Sequence, residues 1–330
     1  MKVAVFSTHN FEKEYLLSAA GTKHELTLLE VQLNPGTAIL AQGCEAVCLF
    51  VNDDGSKEVL EKLKNVGASI LVLRSAGYNN VDLHAAGNLG FMVARVPEYS
   101  PYAVAEHAVA LMMALNRKLI KAHSRVRDLN FSLDGLIGFD MNEKTAGVIG
   151  TGKIGKVVAN ILLGFGCRVL AYDPFPDENW AKDKNVSYTD MEALCSSCDI
   201  ITIHSPLTKD NRHFINEHTL SWMKEGVMLI NTSRGELINT KDVIKGLKSG
   251  KIGHLGLDVY EHEKNLFFED HSDEILMDDT IARLMTFPNV LITSHQAFLT
   301  STALQNIADI TVANIDHFQN NTACDNEIKA

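Results

Sequence analysis

Short apolar runs recur along the chain, and most are apolar throughout instead of alternating with polar positions. Val3–Phe6, Leu26–Leu29, Ala46–Phe50, Ile70–Leu73 and Phe91–Val96 form one series. Ala146–Ile149, Arg168–Tyr172, Ile200–Ile203, Val227–Ile230, His254–Val259 and Val290–Thr293 form a second. Strands covered on both faces read this way, so the pattern predicts two α/β units, each with its own parallel sheet. Between them Val104, Ala108, Leu111, Met112 and Leu115 share a helical stripe after Pro101, and the pattern runs on through a basic stretch, Lys118 to Arg127, as one long helix. Proline suits a first helical turn, where its missing N–H costs nothing, so the boundary falls near residue 100. A last helix after Ser301 repeats core positions at Leu304, Ile307, Ala308, Thr311, Ile315 and Phe318. It could pack on either unit. The tail beyond Phe318 reads as loosely ordered.

At 330 residues and 46% hydrophobic content, the chain exceeds one core of typical size and can fill two. Thirty Lys and Arg against 41 Asp and Glu give a net charge of −11, spread along the chain. Such a protein has no general attraction for a phosphate backbone or an anionic bilayer, which argues against nucleic-acid and membrane partners. The amino terminus turns polar at Ser7 and reads as a first strand instead of a signal peptide, which makes a cytoplasmic protein the expectation. The six cysteines lack a disulfide-framework spacing. Cys195 and Cys198 form an isolated Cys-x-x-Cys pair, read as reduced and structural, and no metal site is expected.

The run ending at Ile149 leads into Gly150-Thr151-Gly152-Lys153-Ile154-Gly155 and then into a helix with Ile154, Val157, Val158, Ile161 and Leu162 on one face. In a strand–turn–helix setting the first glycine permits the tight turn, the second lets backbone approach a pyrophosphate, and the third lets helix lie close on strand. The next strand ends at Asp173, 18 residues after Gly155. A carboxylate there accepts both ribose hydroxyls of an adenosine and repels a 2′-phosphate, so NAD is expected over NADP.

Three polar residues stand at or just beyond the carboxyl ends of later strands, where open parallel sheets bind ligands. Arg234 follows a buried strand through Asn231, Thr232 and Ser233, and its planar fork matches a carboxylate. His295 follows Val290 to Ser294. Beyond Leu257 the carboxylates Asp258, Glu261 and Glu263 are all available to it, and the residues alone do not choose among them. A carboxylate held against an imidazole favours the protonated ring and fixes its orientation, which suits acid–base chemistry.

Leu73-Arg74-Ser75-Ala76-Gly77-Tyr78-Asn79-Asn80-Val81-Asp82, Val96-Pro97-Glu98-Tyr99-Ser100-Pro101 with Ala105-Glu106-His107, the glycine turn, Asn231 to Gly235, Asp258 to Glu263, Leu266-Phe267-Phe268-Glu269-Asp270 and His295 to Thr300 carry a resemblance. Over almost its whole length the chain resembles the D-2-hydroxyacid dehydrogenase family, and within it the bacterial fermentative D-lactate dehydrogenases. The resemblance implies a flavodoxin-like substrate domain from residues 1 to 100 and 298 to 330, and a Rossmann NAD-binding domain from 101 to 297. It implies that Arg234 binds the substrate carboxylate, that His295 is the acid–base residue and that Glu263 is its partner. The amides of Ala76 and Gly77 then also face the carboxylate, with Tyr102 and Phe298 near the substrate. Gly150, Gly152, Lys153, Ile154, Gly155, Asp173, His204, Pro206, Thr232, Ser233 and Asp258 hold the cofactor, the last three near the nicotinamide. The implied reaction is reversible reduction of pyruvate to D-lactate by NADH in a protein that closes on its substrate and assembles as a homodimer or higher homo-oligomer through the cofactor domain. Dehydrogenases for other 2-hydroxy acids share these features, as do NADH-sensing corepressors, which bind the dinucleotide with negligible turnover.

Overall fold

The computed structural model describes residues 1–264 and 266–329. The chain divides into two compact units, one comprising Met1–Ser100 with a carboxyl-terminal segment from Leu299 onward, the other Pro101–Phe298.

In the first unit, strands β1 (Lys2–Val5), β2 (Glu25–Leu28), β3 (Ala46–Leu49), β4 (Ile70–Leu73) and β5 (Met92–Ala94) form a sheet in the order β2-β1-β3-β4-β5. Every pairing among them is parallel, and the order is the flavodoxin-like one. Because side chains alternate across a strand, the apolar runs feed two cores at once. Ala4, Phe6, Val47, Leu49, Leu71 and Leu73 pack against Val59, Leu60, Leu63 and Ala86. Val3, Val5, Cys48, Ile70 and Val72 pack against Leu16 and against Ala308, Ile315 and Phe318 of the last helix, Ser301–Gln319. That helix therefore returns to the first unit. The residues after it are tied down, contrary to their polar composition: Arg95 N–H donates to the Asn326 carbonyl and Ile328 N–H to that of Val93, with an antiparallel bridge between Ala94 and Glu327. Backbone pairing along the open edge of β5 supplies the order that side-chain burial does not.

In the second unit, β6 (Thr145–Ile149), β7 (Arg168–Tyr172), β8 (Ser187–Tyr188), β9 (Ile200–Ile203), β10 (Val227–Asn231), β11 (Ile252–Leu257) and β12 (Val290–Ile292) form a sheet in the order β12-β11-β10-β9-β6-β7-β8, again parallel throughout. The strand order reverses at β6 and β9, the doubly wound arrangement whose switch point accepts a dinucleotide. Its two faces carry separate cores, one built around Ile201, Ile203, Leu229, Leu255 and Leu257, the other around Ala146, Val148, Val169, Met228 and Ile230.

The long helix expected after Pro101 is two helices, Pro101–Asn116 and Leu119–Arg127, broken at Lys118, whose φ is +49°. Tertiary contact overrides propensity here. Asn116 clamps the Phe139 backbone with both halves of its amide, and a side chain at Gly138 would collide with Asn116 itself, so residues 138 and 139 cross where the helix would otherwise continue.

Candidate functional site

Register sets the site. Tyr172, Ile149, Ile203, Asn231, Leu257 and Ile292 stand abreast on neighbouring strands of the seven-stranded sheet, each at or near its carboxyl end. Asp173, Gly150, His204, Thr232 and Asp258 come one residue beyond that row, Arg234 and His295 three, and Glu263 six. Side chains far apart in sequence thus leave the sheet at one level along one rim.

At β6 the turn has the shape its glycines require. Gly150 has φ +90°, and a Cβ there would stand 2.7 Å from the His204 carbonyl oxygen. A Cβ on Gly155 would meet the Gly150 carbonyl oxygen at 1.9 Å, whereas one on Gly152 would meet no heavy atom within 4 Å. Backbone is therefore exposed for close approach at the N-terminus of the helix Lys153–Gly164, where the helix dipole favours an anion. Asp173 Oδ2 accepts from Thr151 N–H at 2.7 Å and from Thr151 Oγ1 at 3.1 Å, which fixes the carboxylate against the turn.

His204 follows β9 with its Nε2 2.8 Å from Thr202 Oγ1, and burial pushes the ring down to about 3, so it is neutral. Its Nδ1 and the Thr232 Oγ1 are buried without a hydrogen-bond partner among the described residues. Such groups are costly unless something supplies the missing bond. Two orphaned polar atoms, an open backbone at Gly152 and a fixed carboxylate at Asp173 fit a dinucleotide. Lys153 and Ile154 open the helix, and Pro206 lies two residues past His204, its carbonyl accepting from Asn211.

Beyond β10, Asn231 folds the loop on itself, its amide donating to the Arg234 carbonyl at 2.8 Å and its Oδ1 accepting from Ser233 N–H at 3.0 Å. Ser233 Oγ donates to the Ile203 carbonyl. A side chain at Gly235 would overlap the Tyr260 backbone at 2.1 Å, so only glycine lets this loop press against the one after β11. Arg234 is half-buried and gives one N–H to the Ser233 carbonyl. No carboxylate pairs with it among the described residues.

The choice among three carboxylates is settled by contact. Glu263 Oε1 lies 2.9 Å from His295 Nδ1, and its Oε2 accepts from Tyr260 N–H at 3.0 Å. Glu261 turns away to His213 at 2.6 Å and to Thr240. Asp258 is wholly buried beneath the turn that carries His295, accepting from Gln296 and Ala297 N–H at 2.9 Å each. Burial alone would raise its carboxyl, but hydrogen bonds from His107, Thr293 and Ala297 and the nearby His295 outweigh it and hold Asp258 below the usual carboxylate range. His295 itself has φ +53°, with its N–H 2.7 Å from the Asp258 carbonyl oxygen.

Two neighbours of this dyad were given no role by the sequence reading. The Phe268 ring lies 5.7 Å from that of His295, and His107 reaches Thr293 Oγ1 at 3.0 Å. His107 did leave a signal, since it interrupts the apolar stripe of its helix between Val104 and Leu111. Phe268, in an irregular loop, left only its place in the run Leu266-Phe267-Phe268-Glu269-Asp270. Phe298 is the last residue of this unit, and Tyr102 is largely exposed. Ala76 and Gly77 belong to the five-stranded unit, just past β4, where Arg95 donates to the Ala76 carbonyl and Ser75 Oγ to that of Gly77.

Residues 109–297 match the model of the family described as D-isomer specific 2-hydroxyacid dehydrogenase, NAD binding domain. Over 329 residues, 99% of this chain and 100% of the relative, it is 51% identical to the D-lactate dehydrogenase of Escherichia coli. The chain belongs to the D-isomer specific 2-hydroxyacid dehydrogenase family. Among solved structures, a pyruvate reductase of Chlamydomonas reinhardtii superposes with a TM-score of 0.94 at 42% identity, covering 99% of this chain and 98% of that one. The Lactobacillus jensenii D-lactate dehydrogenase with NAD⁺ gives a TM-score of 0.83 at 31% identity over the whole of both chains. Like other members of its family, the chain is an NAD-dependent dehydrogenase of the D-2-hydroxyacid class, and the seven-stranded unit carries the segment matched by the NAD-binding model. Among the described residues, no helix is long and apolar enough to cross a membrane.

Proposed function

We propose that this dehydrogenase reduces pyruvate to D-lactate with NADH and catalyses the reverse reaction. The observation that carries the reading is the His295–Glu263 pair at 2.9 Å, one strand away from an arginine that no carboxylate neutralises among the described residues, in a chain so similar to the E. coli D-lactate dehydrogenase. Glu263 takes Nδ1, which leaves Nε2 to hold a proton for the carbonyl oxygen of the keto acid. Arg234 fixes the substrate carboxylate with its fork and polarises the keto group. The amides of Ala76 and Gly77 are read as further carboxylate donors, and Phe298 as a substrate contact. When bound, the nicotinamide supplies the hydride for reduction or takes it in oxidation.

The backbone of Gly150, Gly152 and Gly155, with Lys153 and Ile154, serves the pyrophosphate, Asp173 the adenosine ribose, and His204, Pro206, Thr232, Ser233 and Asp258 the remaining dinucleotide. The seven-stranded unit is thus the NAD-binding domain and the five-stranded unit the substrate domain. Six free thiols, five of them buried, are in keeping with a reducing cytoplasm.

The helix Leu119–Arg127 buries none of its residues, and Leu119, Ile120, Val126, Leu129, Phe131, Leu133 and Ile137 are exposed along it and the following segment. An apolar surface of this extent suits a second copy of the chain, so a homodimer joined through it is part of the proposal. Sedimentation equilibrium showing only monomer would remove that part. The function is tested by NADH oxidation with pyruvate, followed by chiral resolution of the product and a panel of longer keto acids. D-lactate as the product, with pyruvate the best substrate, is the expected result; NADH binding without turnover on any keto acid overturns it.

A further inference from the structure

With His295 as the acid–base residue, on which this inference rests, Glu263 orients the ring, and the turn that carries it needs anchors of its own. His295 stands in the left-handed backbone region, in a turn from Thr293 to Ala297 that contributes little core of its own. The N–H groups of Thr293, His295, Gln296 and Ala297 all donate to the end of β11. Thr293 N–H donates to the Leu257 carbonyl and His295 N–H to the Asp258 carbonyl. The Asp258 carboxylate takes the N–H groups of Gln296 and Ala297, which directly follow His295, and the hydroxyl of Thr293, two residues before it.

One side chain from outside this segment enters the cluster. His107, in the middle of the helix Pro101–Asn116, places Nε2 3.0 Å from Thr293 Oγ1 and 3.3 Å from Asp258 Oδ1. Proton counting fixes its role. Thr293 has a single hydroxyl hydrogen, and the 2.5 Å contact with Asp258 Oδ1 uses it. The threonine oxygen must therefore accept from His107, so Nε2 carries a hydrogen and faces two acceptors at once. Without that N–H, a fully buried carboxylate and a hydroxyl oxygen would each lose a donor, and the turn could relax by rotating at Thr293.

We propose that His107 is a positioning residue for the reaction: its Nε2–H locks Thr293 and Asp258 together and so holds the strained turn that aims His295 at the substrate. It acts through Thr293 and Asp258. Because a displacement of about 1 Å at a reacting group can cost a hundredfold in rate, a lost anchor should appear in turnover before it appears in binding.

The test uses the full-length protein. His107→Phe keeps a flat ring without a donor, and His107→Gln keeps an N–H near the position of Nε2. His107→Phe is expected to lower kcat for pyruvate about tenfold to a hundredfold while leaving the NADH dissociation constant within about twofold, and His107→Gln to stay within about threefold of the parent in both. If His107→Phe does not fold, His107→Asn, whose amide stops short of Thr293, takes its place with the same expectation. A donor-free variant with parental kcat, or a glutamine variant as impaired as the phenylalanine one, overturns the inference. His295→Asn, measured alongside, separates the two levels: turnover retained there removes the role of His295 itself, whereas an inert His295→Asn beside an unimpaired His107→Phe removes only the positioning role.

Discussion

Both sheets gather polar groups at the carboxyl ends of their strands, but they use them differently. In the five-stranded unit, Arg74 at the end of β4 grips Glu12 through two hydrogen bonds of 3.0 and 3.1 Å, with side-chain exposures of 0% and 5%, and donates as well to the carbonyls of Phe6 and Ser7. Asp53 nearby accepts from Ser7 Oγ and from the N–H groups of Leu33 and Phe50. The seven-stranded unit leaves His295 and Glu263 about a fifth exposed, at 19% and 22%, and Arg234 without a carboxylate among the described residues. A charge whose valences are all satisfied inside the fold is architecture. One held by a single partner, with the rest of its hydrogen-bonding capacity unused, is available for chemistry.

Replacing the available groups should cost rate, and replacing the satisfied ones should cost stability. The largest effect is expected from His295→Asn, chosen because asparagine tolerates positive φ: kcat should fall about a thousandfold with NADH binding and thermal stability near parental. Loss of cofactor binding instead would move the histidine out of the reacting centre. Arg74→Met strands Glu12 in the core and should remove about 3–5 kcal/mol of stability. A parental urea midpoint would erase the contrast between the two units. Arg234→Lys keeps the charge but loses the fork, worth roughly 1.5–3 kcal/mol of transition-state binding, so kcat/KM for pyruvate should drop at least about tenfold with stability unchanged. An unchanged specificity constant would deny Arg234 its carboxylate.

The smallest effect belongs to a group that is buried in the fold and proposed for the cofactor. Burial pushes His204 from 6.5 down to about 3, so between those values the unfolded chain binds a proton that the folded chain refuses. Stability therefore falls as the pH drops through that window. At pH 5 the loss relative to pH 7 is about 2 kcal/mol, and His204→Gln should flatten that slope in thermal unfolding while leaving the steeper acid transition below pH 4. An identical slope in both proteins would mean that His204 titrates freely.

What was legible in the sequence follows from what burial imprints on it. Ile70–Leu73 and Ile200–Ile203 are buried on both faces, and their limits read directly. Ser187–Tyr188 is a two-residue strand at the sheet edge with one polar member, and no periodicity can register over so short a span. The break at Lys118 was invisible because Arg117 and Lys118 are good helix formers, and the cause lies at Gly138 and Phe139, some twenty residues on. Arg234 and His295 stood out as polar residues after buried strands, whereas Glu263 was preferred to Glu261 by resemblance alone, because the contact of Glu263 with His295 depends on the path of a loop that no periodicity records. His107 shows the limit most clearly: its helix displayed it as an interruption, but its partners arrive from residues 258 and 293.

The last helix and the tail beside β5 have a consequence for biosynthesis. A ribosome releases β1 to β5 some two hundred residues before it makes Ala308, Ile315 and Phe318, which cover one face of that sheet. At synthesis speeds of about 5–20 residues per second, that face waits on the order of ten seconds or more for its cover, while the intervening unit can close first. Nascent chains stalled short of residue 301 should therefore hold a finished second unit and an unfinished first one, and this interval is when chaperone protection of the amino-terminal strands matters most.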